Sequence, residues 1–176
     1  MTFRLEESFD IDETIKEVFL GDVNLFLKYH YESPTDHAEA SQYTSLYTIR
    51  DVPRETVFYS IYLDDILFGY IAFEHNNIWD IAFSIKYREG DYINKFYNYF
   101  FREVLQEGTI RLCERNHRDI NLLLKSKLAR PVAFDRYIGK RDYTELAQEG
   151  AVKNKEKHIL YIPLSQIILS FGTNEA

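Results

Sequence analysis

The residues best suited to chemistry flank one short polar stretch. Lys86 to Tyr92 (KYREGDY) separates two apolar runs and carries Gly90 between Glu89 and Asp91. A glycine-bearing turn that feeds a helix presents unpaired backbone N–H groups, and such groups can hold an anion; the same stretch also serves as an ordinary strand-to-helix loop. Two carboxylates precede it. Glu74 begins a turn, and Asp80 lies inside the apolar run Ile78–Ile85 (IWDIAFSI), where an acid is notable. Beyond the turn, Arg111, Arg115, Arg118, Lys125, Lys127 and Arg130 gather positive charge. Such a cluster meets phosphates or forms the wet face of one helix. His75 and His117 could act as bases, although a lone histidine at a turn is usually a surface residue. The five histidines show no metal-ligand spacing and the single Cys113 stands apart, so no metal is expected. With no His–acid partner placed beside it, Cys113 reads as a buried, inert thiol.

The elements around these residues follow from hydrophobic periodicity. Three strand-like runs, Thr56–Leu63, Ile66–Glu74 and Ile78–Ile85, stand at hairpin spacing. The middle run is apolar at both parities, which predicts a strand covered on both faces. Gly69 within it predicts a bulge or a close backbone approach. After the polar turn, Ile93, Phe96, Tyr97, Phe100, Phe101 and Val104 give one face of a helix from about Tyr92 to Gln106. Upstream, Thr2–Glu6 reads as a strand. Asp10 or Asp12 caps a helix bearing Ile11, Ile15, Val18 and Phe19, and Asp22 caps a second. Downstream come a strand Thr109–Cys113 and a helix capped by Asp119. Two closing strands, Pro131–Ile138 and Lys157–Pro163, complete the order. Residues 35–55 form a long polar loop, and residues 164–176 an apolar tail.

Composition narrows the partners. One domain over residues 1–176 is expected, with its core in residues 56–163. A net charge of −7 argues against nucleic acid as the main partner. There is no signal-like segment or membrane-length apolar run, so a cytoplasmic protein without a membrane partner is expected. The 14 tyrosines and 13 phenylalanines imply a thick core and make a homodimer plausible, docked through Ile167–Phe171.

This order of elements resembles the acetyl-CoA-dependent N-acetyltransferase superfamily (GNAT) over nearly the whole chain. The resemblance implies an α/β (α+β) fold with a mixed, mostly antiparallel sheet and helices on both faces. It implies acetyl-CoA, or another acyl-CoA, as cosubstrate in a V-shaped gap between Ile78–Ile85 and Thr109–Cys113. The family signature after this strand is Arg or Gln, two residues, Gly, one residue, then Gly or Ala. Arg88 matches the first position, while Asp91 and Ile93 stand where the small residues belong. The cofactor residues so implied are Phe83, Ser84, Ile85, Tyr87, Arg88, Glu89, Gly90, Asp91, Tyr92, Ile93 and Asn116. The family's frequent proton-donating Tyr corresponds to Leu123 here. The implied function is N-acyl transfer to a primary amine on a small molecule or peptide. The amine attacks the thioester directly, and Glu74 or Asp80 assists its deprotonation. The alternative is a non-catalytic GNAT-like module that binds a protein partner through the 35–55 loop or the tail.

Overall fold

A computed structural model of the chain describes residues 2–8, 10–21, 25, 29, 31–32, 53, 55–88, 90–135, 162–163 and 165–172. The expected second helix, apart from Leu25 and Tyr29, lies outside the described residues. So do nearly all of the 35–55 loop and most of the segment between the two expected closing strands.

The described elements are strands β1 (Phe3–Glu7), β2 (Tyr31–Glu32), β3 (Val57–Leu63), β4 (Ile66–Glu74), β5 (Asn77–Phe83), β6 (Gly108–Cys113), β7 (Ala129–Asp135), β8 (Ile162–Pro163) and β9 (Gln166–Phe171). The helices are α1 (Ile11–Val18), α2 (Tyr92–Glu103) and α3 (His117–Lys125). Seven strands form one sheet in the order β1-β3-β4-β5-β6-β9-β7, and β2 pairs with β8 in a separate two-stranded ribbon. Every pair in the large sheet is antiparallel except β5 with β6. The architecture is thus the expected mixed, mostly antiparallel sheet.

Each face is covered for a reason visible in the sequence. The α2 stripe Ile93, Phe96, Tyr97 and Phe100 is fully buried against Phe68, Ile71, Ile81 and Phe83 of β4 and β5. Burial of each such side chain contributes about 1.5–3 kcal/mol. On the other face, α1 begins at Asp10, whose carboxylate accepts from the Glu13 N–H, and packs Ile15, Val18 and Phe19 toward Tyr70. Asp10, rather than Asp12, is the cap.

The closing strands differ from expectation. The apolar segment Ile167–Phe171 is part of β9 and is not a docking tail. It lies between β6 and β7 and pairs with both. Its Leu169 is completely buried, and Phe171 stacks on Phe101 at 4.2 Å. The physical reason is parity: a run apolar on both faces belongs inside a covered sheet. The segment is thus committed to pairing within the fold rather than free as a tail. Ile162–Pro163 joins the small ribbon, and so leaves the main sheet to β9.

Two features open the sheet at its centre. β5 and β6 share only the pairs Asn77↔Thr109 and Ile78↔Ile110. Gly108 brings them together there, because a Cβ at this position would collide with the Asn76 carbonyl oxygen. Immediately beyond, Trp79 is an extra residue in β5, where Ala72 pairs with Asp80 but Phe73 pairs with Ile78. A bulge of this kind bends a strand away from its neighbour. From that point β5 and β6 diverge.

Candidate functional site

Among the described residues, the divergence leaves one edge of β5 without a strand partner beyond Ile78. The Ser84 N–H donates to the Phe68 carbonyl at 2.8 Å, which fixes the alternation between β4 and β5. In an antiparallel pair the backbone groups of alternate residues face opposite sides. Those of Ala82 therefore face β4, and those of Ile81 and Phe83 face the opening. Both of the latter carbonyls are taken by side chains of this chain. The Tyr29 hydroxyl donates to the Ile81 carbonyl at 2.6 Å. The Arg88 guanidinium donates to the Phe83 carbonyl through Nε at 3.3 Å and Nη2 at 3.2 Å.

At the open end lies a cavity of about 350 Å³. Phe83, Ile85, Arg88 and Ile93 line it from the β5–α2 connection, and Arg115 to Asp119 from the start of α3. Val18, Phe19, Leu20, Leu25 and Tyr29 close it from the α1 side. One wall is thus apolar and the other rich in arginine.

The β5–α2 turn is more tightly wound than expected. Ile85–Tyr87 form a 3-10 turn, in which the Tyr87 N–H donates to the Ser84 carbonyl and the Arg88 N–H to that of Ile85. Ser84 also receives the Lys86 N–H on its hydroxyl. Tyr87 packs on Phe68 and against Tyr92, so neither tyrosine lines the cavity. Gly90 has φ +84°, a conformation that favours glycine, and Asp91 precedes α2 with its carboxylate accepting from the Asn94 side chain. Glu89 lies outside the described residues. Five of the expected cofactor residues, Phe83, Ile85, Arg88, Ile93 and Asn116, therefore meet at the cavity, while Ser84, Tyr87, Gly90, Asp91 and Tyr92 shape the turn behind it.

Asn116, rather than Asp119, caps α3, accepting from the Asp119 N–H at 3.4 Å. Its amide donates to the Tyr29 hydroxyl at 3.1 Å, so Asn116, Tyr29 and Ile81 form a chain across the opening. Asp119 is displaced into the first helical turn and is only 4% exposed. Its Oδ2 receives the Tyr97 hydroxyl at 2.7 Å. Burial pushes the Asp119 carboxyl above its ordinary range, against the opposing pull of the Tyr97 hydrogen bond, the Arg118 and Arg88 charges and the Asn116 side chain. Tyr29 is only partly buried as a residue, but its hydroxyl is enclosed. Burial, then Asp119, Cys113 and Asp80, push it well above the ordinary phenol value. A phenol so raised, with its proton committed to a carbonyl, is a poor proton donor and a good strut.

The two acids read as bases lie outside the cavity lining. Asp80 follows the bulge on the α1 face, is 4% exposed and accepts the Tyr70 hydroxyl at 3.0 Å. Glu74 ends β4 beside the closed end of the gap, 3.5 Å from His75. Leu123 is completely buried in the core. Sequence reasoning missed Tyr29 and Asp119 as site residues. Tyr29 carried no signal, since its role depends on a distant strand edge. Asp119 carried a misleading one, because a helix entered at His117 turns an apparent cap inward. Among the described residues, no group of three His, Cys, Asp or Glu side chains could hold a metal ion, and no helix is long and apolar enough to cross a membrane.

No family model and no curated protein sequence matches this chain. Solved structures do match. A probable acetyltransferase from Staphylococcus epidermidis is 15% identical, with 98% of this chain and 99% of that one covered and a TM-score of 0.50. A Bacillus subtilis acetyltransferase in complex with CoA is 11% identical, with 98% and 100% covered and a TM-score of 0.50. A GNAT family acetyltransferase from Elizabethkingia anophelis with acetyl-CoA bound is 8% identical, with 97% and 98% covered and a TM-score of 0.50. At such identities the likeness is one of fold. The chain has the GNAT fold, nearly end to end.

Proposed function

We propose that this GNAT-fold chain transfers an acyl group from an acyl-CoA to a primary amine. The observation that carries the reading is the opening between β5 and β6. Two strands that pair over two residues and then part leave a backbone edge facing a cavity with arginines at its mouth. The residues present fit the cosubstrate. Arg88, Arg115 and Arg118 would receive its phosphates, with the first N–H groups of α2 behind Gly90 contributing donors. The apolar wall of Val18, Phe19, Ile85 and Ile93 would enclose the uncharged arm. The Phe83 and Ile81 N–H groups face the opening, where they would donate to carbonyl oxygens, the acyl oxygen among them.

The cosubstrate supplies an activated acyl group. The chain would supply position and proton removal. Asp80, beside the bulge where the strands part but outside the cavity lining, would take a proton from the attacking amine through water. Glu74, at the closed end of the gap, would assist only through water. With Leu123 in the core and the Tyr29 proton committed, the leaving thiolate takes its proton from solvent or from the amine.

A second reading, a binding module without catalysis, is favoured by the same Leu123 and by the spent N–H groups of Tyr87 and Arg88. Calorimetry separates the two readings. Acetyl-CoA should bind in the micromolar range, and Gly90→Glu should abolish binding by placing charge at the turn. Amine-dependent release of free thiol should follow. No binding at millimolar acetyl-CoA would reject the transferase and direct the search to protein partners.

A further inference from the structure

Both carbonyls on the open edge of β5 are capped from within the chain. The Tyr29 hydroxyl donates to the Ile81 carbonyl at 2.6 Å, and the Asn116 amide donates to that hydroxyl at 3.1 Å. The Asn116 donation leaves the hydroxyl proton committed to the carbonyl and strengthens the chain of bonds. Arg88 donates to the Phe83 carbonyl through two nitrogens. The caps lie together, with the Arg88 guanidinium 6.0 Å from the centre of the Tyr29 ring, and both residues line the cavity.

A strand edge binds an extended ligand by exchanging hydrogen bonds with it, main-chain carbonyls accepting from the ligand's amides and main-chain N–H groups donating to its carbonyls. Capping the carbonyls removes the first half of that exchange. A ligand amide that gives up its water and meets a capped carbonyl gains nothing in return. The arginines of the lining, by contrast, donate only and match phosphate oxygens. The position of the Tyr29 cap adds to its effect. Ile81 stands along β5 between Phe83, which lines the cavity, and Ile78, the last residue paired with β6. The bond from Asn116 through Tyr29 to Ile81 therefore crosses the gap between the cavity and the point where the strands part.

We propose that Tyr29 is a specificity-determining residue that closes the β5 edge to amide donors, so that the cavity selects its ligand by phosphate and not by the amides of the arm. This rests on the cavity being the acyl-CoA site of the proposed transferase. In that setting the arginines hold the phosphate end, and the amides of the coenzyme A arm contribute little because the carbonyl they would reach is already taken.

The test is calorimetry of the full chain with coenzyme A and with ADP, which shares the diphosphate but lacks the amide arm. Tyr29→Ala uncovers the Ile81 carbonyl. It should tighten coenzyme A about threefold to tenfold and leave ADP within about twofold. A thermal melt confirms that the variant is folded. Tyr29→Leu, which keeps apolar bulk beside Phe19 and is too short to reach Ile81, takes its place if Tyr29→Ala is not. Coenzyme A affinity that is unchanged or weakened, or that changes in step with ADP, overturns the assignment and leaves the transferase reading standing. Pantothenate, an anion with one amide, should gain along with coenzyme A, whereas hexanoate, an anion with none, should not. Equal gain by these two marks a mere enlargement of the cavity and also overturns the assignment. If coenzyme A binds the variant but not the wild type, the transferase reading of the native chain falls and the Tyr29 assignment stands. If it binds neither, both fall.

Discussion

Asp119 ties stability to pH. Its carboxyl is raised in the folded protein, chiefly by burial. Between the ordinary and the raised value the folded state holds its proton more tightly than the unfolded chain, so folding stability falls as pH rises through that interval. Below it the penalty is absent. Asp119→Asn should therefore be more stable than wild type at neutral pH, and the difference should close in acid; urea unfolding across the pH range measures it. Tyr29 behaves differently. Tyr29→Phe leaves the Ile81 carbonyl and the Asn116 amide without their shared partner. The expected loss is about 1–3 kcal/mol, read from the same unfolding curves. Neither role was visible in the chain. The turn was legible as a place, because Gly90 and the flanking apolar runs mark it. The groups that complete it come from positions whose partners are set by packing.

At the scale of elements, the three-strand meander and the helix after it were legible because their periodicities are clean and their turns short. Phe96, Tyr97 and Phe100 recur at helical spacing and are fully buried. β4 is apolar at both parities and lies inside the sheet. Gly69 was read as a close approach, and it is one: a Cβ there would collide with the Ala82 carbonyl oxygen and crowd Phe83. Gly69→Ala should cost about 1–3 kcal/mol and also weaken acyl-CoA binding, since Phe83 lines the cavity. Gly90→Ala meets only the Tyr92 ring, at 3.6 Å. Its cost should be confined to backbone strain of about 1–2 kcal/mol. Thermal melts of the two variants give the comparison. β9 was misread because parity cannot say which neighbours a strand will find. Leu169→Ala should destabilise by about 2–5 kcal/mol, where a docking tail would instead have lost only self-association, as size-exclusion chromatography would show.

For the molecule as a whole, the net charge of −7 and the arginine-lined cavity pull in opposite directions. An anion approaching the acidic surface is repelled until it reaches the cavity, where Arg88, Arg115 and Arg118 attract it. Salt screens both effects over a distance of about 8–10 Å, and the nearby arginines dominate the bound state. Acyl-CoA affinity should therefore fall as ionic strength rises, and calorimetry at low and high salt checks the slope. The fold class was legible overall because the order of elements restricts topology more tightly than any one motif does. The narrow seam between β5 and β6 has a consequence for assembly of the chain. It divides the sheet into a wing of neighbouring hairpins, β3-β4-β5, and a wing completed only when β9 reaches β6, a strand that ended at Cys113. The first wing closes short loops and can form early. The second must wait for distant sequence, a slower kind of contact. The gap between β5 and β6 is thus bounded by an early wing and a late one, and among the described strands it is completed only with β9.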